Sequence, residues 1–289
     1  MDRHELLARI STFPLIAYGL AEDLLSGDYR AIFRGQGIEF DEVRRYEPGD
    51  DVRSIDWNVS ARFGVPYVKM YREEREMTVC IILDTSASMH TAGGSDLTLY
   101  EQGLLAAALI AFSAERSGQR LSGLFFDKEI RRIFPPRKGR PHTMAFVSAA
   151  LENRPREKGS GLGLALKGTG RFLKRRSLII VISDFLCLNW EHEMGDLCQG
   201  HDVIAIRIGS PLENKINQHG FFNLEDPETG YTVRSLAFSG FRSAWAHWHE
   251  ERQQLWESIC RRSGAAILNL STADDAAAVL GHFFRRRGV

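Results

Sequence analysis

The sequence is poor in cysteine, with four in 289 residues, Cys80, Cys187, Cys198 and Cys260, and no two of them at CxxC spacing. That excludes a disulfide scaffold and argues against a zinc ribbon or a thioredoxin-like dithiol. The four read as small buried hydrophobes of a reducing compartment. Long apolar runs are missing as well: nothing approaches the roughly 18 residues of a membrane span. The apolar stretch at 15–21 is flanked by Asp2, Glu5, Glu22 and Asp23, which makes a poor signal peptide. A soluble cytoplasmic protein is the expectation. No excess of either charge exists, since 37 Lys and Arg balance 37 Asp and Glu. That balance argues against a generic nucleic-acid binder. Nucleotide cradles are absent too. There is no GxxxxGK[ST], and Gly159-Ser160-Gly161-Leu162-Gly163 is not GxGxxG. No GxSxG elbow occurs. Any dependence on ATP would have to come from a partner.

What remains is ordinary globular composition, 44% hydrophobic and 26% charged. The length suits one or two domains with a real core. The sequence divides near residue 76. Residues 1–76 carry 11 Lys and Arg against 15 Asp and Glu, and residues 77–289 carry 26 against 22. The first part opens with a helix over 5–25, interrupted near Pro14. From 29 to 76 it reads as short strands and turns, punctuated by Gly35-Gln36-Gly37, Glu47-Pro48-Gly49-Asp50 and Phe63-Gly64-Val65-Pro66.

Residues 77–289 alternate strand and helix. The continuous apolar runs at 78–83 and 177–183 are those of central parallel strands, and 203–208 gives a third. Helices are expected over 99–117, 143–152, 162–175, 191–199, 243–262 and 273–286, with a further strand at 266–270. Strands 121–126 and 130–134 flank Asp127-Lys128-Glu129 as a hairpin. The fold class is therefore α/β, a doubly wound and mostly parallel sheet with one antiparallel strand, plus a smaller N-terminal helix-and-strand region.

Ligands of such sheets bind beyond the carboxyl ends of the strands, where the strand order reverses. Three loops qualify. After the first strand comes Asp84-Thr85-Ser86-Ala87-Ser88, after the strand at 177–183 comes Asp184, and Gly159-Ser160-Gly161 opens the helix near 162. They supply carboxylates and hydroxyls, hard oxygen donors that favour Mg²⁺, Mn²⁺ or Ca²⁺ over zinc. Ser and Asp are also common helix N-caps, but their placement after buried strands favours a metal site. An open coordination position would take water or a partner's carboxylate.

Asp84-Thr85-Ser86-Ala87-Ser88, followed by Met89, resembles the metal-ion-dependent adhesion site of a von Willebrand factor A domain. The resemblance implies Asp84, Ser86 and Ser88 as ligands from the first loop and Asp184 from the third. Ser160 takes a place usually held by Thr. Gly161 departs from the pattern, which usually has Asp there. The N-terminal part narrows the likeness. Gly37-Ile38-Glu39-Phe40, then Arg44-Arg45-Tyr46-Glu47-Pro48-Gly49-Asp50-Asp51-Val52-Arg53-Ser54-Ile55-Asp56-Trp57, then Ala61-Arg62, closely resembles a bacterial family catalogued as domain of unknown function fifty-eight. That resemblance covers nearly the whole chain. It implies a von Willebrand A-like domain working as an adaptor or assembly factor with a MoxR-type AAA+ ATPase. In the metal reading, the open position would hold a carboxylate of a client protein.

Weaker signals remain. The dense Arg and Asp block at 44–62 reads either as an ion-paired structural seam or as a docking surface. Arg131, Arg132, Arg137, Lys138 and Arg140 form a basic stretch, of which 135–140 is expected at the end of the sheet opposite Asp84. His247-Trp248-His249-Glu250-Glu251 invites a metal reading, but the two histidines do not share a helix face. An enzymatic alternative is a Mg²⁺-dependent phosphohydrolase using Asp84 as nucleophile. That chemistry wants an acid two residues on, where this chain has Ser86.

Overall fold

The computed structural model describes residues 3–25, 38–73, 77–91, 94–153, 159–214, 221–225, 232–236 and 239–287. The chain forms two compact units. One is Asp28–Glu76, and the other joins Met1–Gly27 to Met77–Val289. The border at residue 76 is thus the end of the smaller unit, while the first helix falls with the larger one.

In the larger unit α1 spans Arg3–Leu25, unbroken through position 14 rather than interrupted there. Leu6, Ile10, Phe13, Ala17 and Leu20 recur at helical spacing and are buried. Burying a large apolar side chain is worth about 1.5–3 kcal/mol, so several together outweigh the ~3 kcal/mol cost of proline in a helix.

The remaining elements of this unit are β3 (Thr78–Asp84), α3 (Leu99–Arg116), β4 (Arg120–Phe126), β5 (Ile130–Arg137), α4 (Arg140–Glu152), α5 (Leu162–Phe172), β6 (Leu178–Ser183), α6 (Glu191–Gly200), β7 (Asp202–Gly209), α7 (Pro211–Asn214), α8 (Ser239–Ser263), β10 (Ala266–Ser271) and α9 (Ala276–Arg287). A separate hairpin of β8 (Phe221–Glu225) and β9 (Thr232–Leu236), which sequence reading missed, precedes α8. The sheet order is β10-β7-β6-β3-β4-β5, parallel throughout except for β5 against β4. This is the expected doubly wound sheet with one antiparallel strand.

Residues 79–83 and 178–182 are apolar on both sides because both faces are covered. Helices α1, α3, α4 and α9 lie on one face, and α5, α6 and α8 on the other. The helix α3 is buried around almost its whole girth, as expected for one held between a sheet and the outer α1. Its start is fixed by a capping box, in which Glu101 N bonds Thr98 Oγ1 and Thr98 N bonds the Glu101 carboxylate. No described helix is long and apolar enough to cross a membrane.

The smaller unit pairs β1 (Ile38–Arg45) antiparallel with β2 (Tyr67–Glu73). A 3₁₀ turn at Val52–Ser54 and a helix α2, Trp57–Phe63, lie between them. The helix corrects the reading of strands and turns alone. Asp56 caps its start through Asn58 N and Val59 N at 3.0 and 3.2 Å, and Gly64 closes it at φ 71°.

Candidate metal centre

The order of the sheet reverses between β3 and β6, which are neighbours and parallel. Their carboxyl ends deliver Asp84 and Asp184 to one place, and Gly161 opens α5 nearby with Ser160 before it. Asp84 is fully buried and Asp184 nearly so. Asp84 Oδ1 accepts a bond from Ser86 N at 2.9 Å. Its Oδ2 accepts from Ser183 Oγ at 2.6 Å and from Ser160 Oγ at 3.4 Å. The hydroxyls of Ser86 and Ser88 are 3.1 Å apart. The five residues expected from sequence, Asp84, Ser86, Ser88, Ser160 and Asp184, therefore come from three loops that meet.

The surrounding chain holds these loops in place. Thr85 bonds the Phe126 carbonyl twice, through N at 2.7 Å and Oγ1 at 2.8 Å, which ties the first loop to the end of β4. In the third loop Leu186 N donates to Asp184 Oδ1 at 3.0 Å, and Phe185 N to Ser183 Oγ at 3.0 Å. Phe185 sits at φ 55°, a left-handed conformation costly for a bulky side chain. Its ring is held against Trp190 and Trp256 at 5.3 and 5.6 Å. Strain of this kind beside Asp184 persists only because packing over-determines it.

The departure at Gly161 has a steric cause. The turn 127–129 passes directly beneath the second loop, and Gly161 N bonds the Asp127 carbonyl at 2.6 Å. Any Cβ at 161 would collide with the Lys128 carbonyl oxygen. An aspartate cannot stand there without moving the turn, so the second loop contributes its hydroxyl alone. Asp127 itself is buried and held by Arg131 Nε at 2.6 Å, which removes Arg131 from the basic stretch. Arg132 stands opposite Phe125, near the Asp84 end, whereas Arg137 stands opposite Leu121 and hence at the far end from Asp84.

Electrostatics distinguish the site. Burial first, and the Asp184 carboxylate second, push the Asp84 carboxyl up to about 7, against the hydrogen bonds from Ser183 and Ser86 that favour its anion. Among the described residues Asp84 has no basic ion-pair partner. Two adjacent buried carboxylates are unfavourable as a dianion, and a divalent cation relieves both the burial and the repulsion. The donors fit a hard ion such as Mg²⁺. No group of three or more His, Cys, Asp and Glu among the described residues is placed to hold a metal, so the candidate depends on hydroxyls to complete its donor set.

Two neighbours escaped sequence reading. Ser183 closes an apolar run and reads as strand, yet it orients Asp84. Cys187 reads as a core hydrophobe, yet its thiol lies beside Ser160 and feels both carboxylates. Burial, then the two carboxylates, push that thiol up to about 12, so it stays protonated and neutral. The helix motif at 247–251 divides as its spacing requires. His247 pairs with Glu251 at 3.3 Å on the surface, whereas His249 is buried 3.8 Å from Glu213, which Arg207 holds at 2.6 Å.

Strand order, the antiparallel edge and the loops at the reversal define a doubly wound α/β domain with a mostly parallel six-stranded sheet. The chain belongs to the family described as Protein of unknown function DUF58, whose model matches residues 42–254. It is 32% identical over 298 aligned positions to an uncharacterised protein of Mycobacterium tuberculosis strain H37Rv, covering 100% of this chain and 92% of that protein. Among solved structures it is similar to the conserved hypothetical protein BatB from Bacteroides thetaiotaomicron, at 14% identity and a TM-score of 0.50 over 73% of this chain and 98% of that one. An aerotolerance-related membrane protein from Bacteroides fragilis matches equally, at 14% and 0.50 over 73% and 99%. At these identities the likeness is one of fold.

Proposed function

We propose that the larger unit is a non-enzymatic interaction module whose centre takes Mg²⁺, with Mn²⁺ or Ca²⁺ as alternatives. In this reading Asp84, Ser86, Ser88, Ser160 and Asp184 would hold the ion, which would supply a Lewis-acidic position open to a client's carboxylate. The observation that carries it is the buried Asp84–Asp184 pair with hydroxyls around it, in which burial first and the Asp184 carboxylate second raise the Asp84 carboxyl. Ser183 keeps Asp84 turned toward the site, and Thr85 keeps the first loop fixed. A charge-assisted contact in such a buried site anchors an interface strongly.

The resemblance to the family supports a place beside a MoxR-type AAA+ ATPase, with this chain as adaptor or assembly factor acting on the client. Trp57 and Phe63 of the smaller unit, 68% and 67% exposed, are candidates for the ATPase contact. The phosphohydrolase alternative is weaker, because Ser86 stands where a general acid is wanted, and a hydroxyl cannot do that work near neutral pH.

Calorimetry of the native chain and of Asp84→Asn with Mg²⁺, Mn²⁺ and Ca²⁺ tests the reading. Binding by the native chain alone supports it, and a folded native chain that binds none of the three overturns it. Phosphatase turnover abolished in Asp84→Asn would favour the enzymatic alternative.

A further inference from the structure

The two edges of the sheet are treated differently. One edge is β5, Ile130–Arg137, which carries Arg131, Arg132 and Arg137 and the pair Pro135-Pro136. Charge and proline are how natural sheets stop an edge from pairing with another chain. The opposite edge is β10, with the sequence Ala266-Ile267-Leu268-Asn269-Leu270-Ser271. It has no charge, no proline and no glycine. Among the described residues it pairs with β7 alone, so no described strand lies beside the outer row of its backbone groups.

A groove accompanies that open edge. It holds about 580 Å³ and runs between β10 and α9, lined by Leu268, Ala278, Val279, His282, Phe283 and Arg286. Leu268 lies opposite Ile206 in register, on the face that α9 covers. A strand added beside β10 would place every second side chain over this groove. Arg286 and His282 are exposed at the groove and belong to the last turns of α9, and Arg285 and Arg287 stand beside them in sequence.

We propose that β10 is a docking edge for an extended segment of a partner protein, added as a further strand, with apolar side chains alternating with acidic ones. The apolar groove takes the first set, and the basic end of α9 complements the second. Main-chain bonds along the edge supply affinity, and the groove supplies selection. Charge decides against a second copy of this chain as the occupant. The β10 of a second copy carries no acidic side chain and would offer nothing of opposite charge to Arg286. The inference is independent of any metal at Asp84.

The test uses the full chain and a short labelled peptide alternating valine and glutamate. Controls are the same peptide with lysine for glutamate, and one whose backbone amides are methylated at alternate positions. Anisotropy should show binding of the glutamate peptide, roughly tenfold or more weaker binding of the lysine peptide, and none of the methylated one. Hydrogen exchange should show protection gained at those β10 amides that face away from β7. Arg286→Glu, an exposed change that leaves the core intact, should reverse the charge preference. Lack of binding overturns the proposal. So does equal binding of all three peptides, or protection elsewhere than β10. Protection of β10 that rises with protein concentration in the absence of peptide would make the occupant a second copy and overturn it as well.

Discussion

The two units use their acidic residues in opposite ways. In the larger unit Asp84 and Asp184 are buried side by side, and the Asp84 carboxyl is raised, by burial first and by its neighbour second. In the smaller unit Asp50 and Asp56 lie near the surface, and their carboxyls are lowered. The Arg44 guanidinium acts first at Asp50, and the Val59 amide acts first at Asp56. Arg44 meets Asp50 at 2.6 Å, Asp51 bonds Arg53 N, and Lys69 stands 3.6 Å from Asp56. These acids fasten turns. The buried pair also accepts bonds from Ser86 N, Ser183 Oγ and Leu186 N, but its mutual repulsion calls for a proton or a cation to offset it. Acid that a fold would be more stable without is a better pointer to function than acid that caps a helix.

Cation binding should separate the two clusters most sharply. A saturating ion stabilises by about 2.7 kcal/mol at a hundredfold excess over Kd, so the native chain should gain several degrees of Tm in Mg²⁺. Asp84→Asn should lose that gain completely, and Asp50→Asn should keep it. Thermal shifts in Mg²⁺ and in EDTA measure both. A gain retained by Asp84→Asn would dissolve the distinction.

Acidity should then pull the clusters in opposite directions. An unfolded aspartate titrates near 3.9, and Asp84 in the fold near 7. Between those values the folded chain holds a proton that the unfolded chain has released. Stability in EDTA should therefore fall as pH rises from about 4 to 7, by ~1.4 kcal/mol per unit of pKa difference at most. Asp50 and Asp56 have lowered pKa values, so their contribution is present above about 4 and is lost as pH falls through their folded values. Denaturant titrations of the native chain and of Asp84→Asn check this, because the variant should lose the decline toward pH 7 and keep the acid limb.

The sequence displays one cluster more plainly than the other. Asp84 and Asp184 follow runs so apolar that only a central strand accounts for them, and the reversal of strand order brings strand ends together. Ser160 follows from its place before a helix. The roles of Ser183 and Cys187 were hidden because each reads correctly as something else, a strand residue and a hydrophobe, and only the closeness of the loops gives them a second part. The reason for Gly161 was hidden for the same cause, since Lys128 lies 33 positions earlier. In the smaller unit α2 was lost among charged residues. Its signals were local and present, an Asp56 cap at one end and Gly64 at the other. A seven-residue helix with Ser60 its one buried residue has no apolar period to announce it. The hairpin of β8 and β9 stands outside the main sheet, so the alternation of strand and helix did not require it.

Glycine offers a finer contrast. Gly161 is required by space and Gly64 by conformation. A Cβ at 161 meets the Lys128 backbone, which cannot swing aside, whereas at 64 it meets nothing within 4 Å but the residue sits at φ 71°. Gly161→Ala should cost about 1–3 kcal/mol, as overpacking does, and should weaken Mg²⁺ binding because Ser160 moves with the loop. Gly64→Ala should cost about 1–2 kcal/mol from the left-handed backbone alone and leave Mg²⁺ binding unchanged. Calorimetry beside denaturant titration tells the two apart. Equal effects on Mg²⁺ would mean that the second loop does not contribute to the centre.

The smallest expected effect on stability belongs to Trp57. Trp256 in α8 is 2% exposed and packs against Phe185, so it belongs to the core that supports the third loop. Trp57 is 68% exposed, and a side chain in that state contributes little to folding. Trp57→Ser should change stability by less than about 0.5 kcal/mol. Truncation of an aromatic anchor at an interface commonly costs about 2 kcal/mol or more of binding. Association with a MoxR-type ATPase, measured in pull-down beside the denaturant titration, should therefore fall while the fold is untouched. A clear loss of stability instead would show that Trp57 is covered within the chain, and the smaller unit would then be a structural element and not a contact surface.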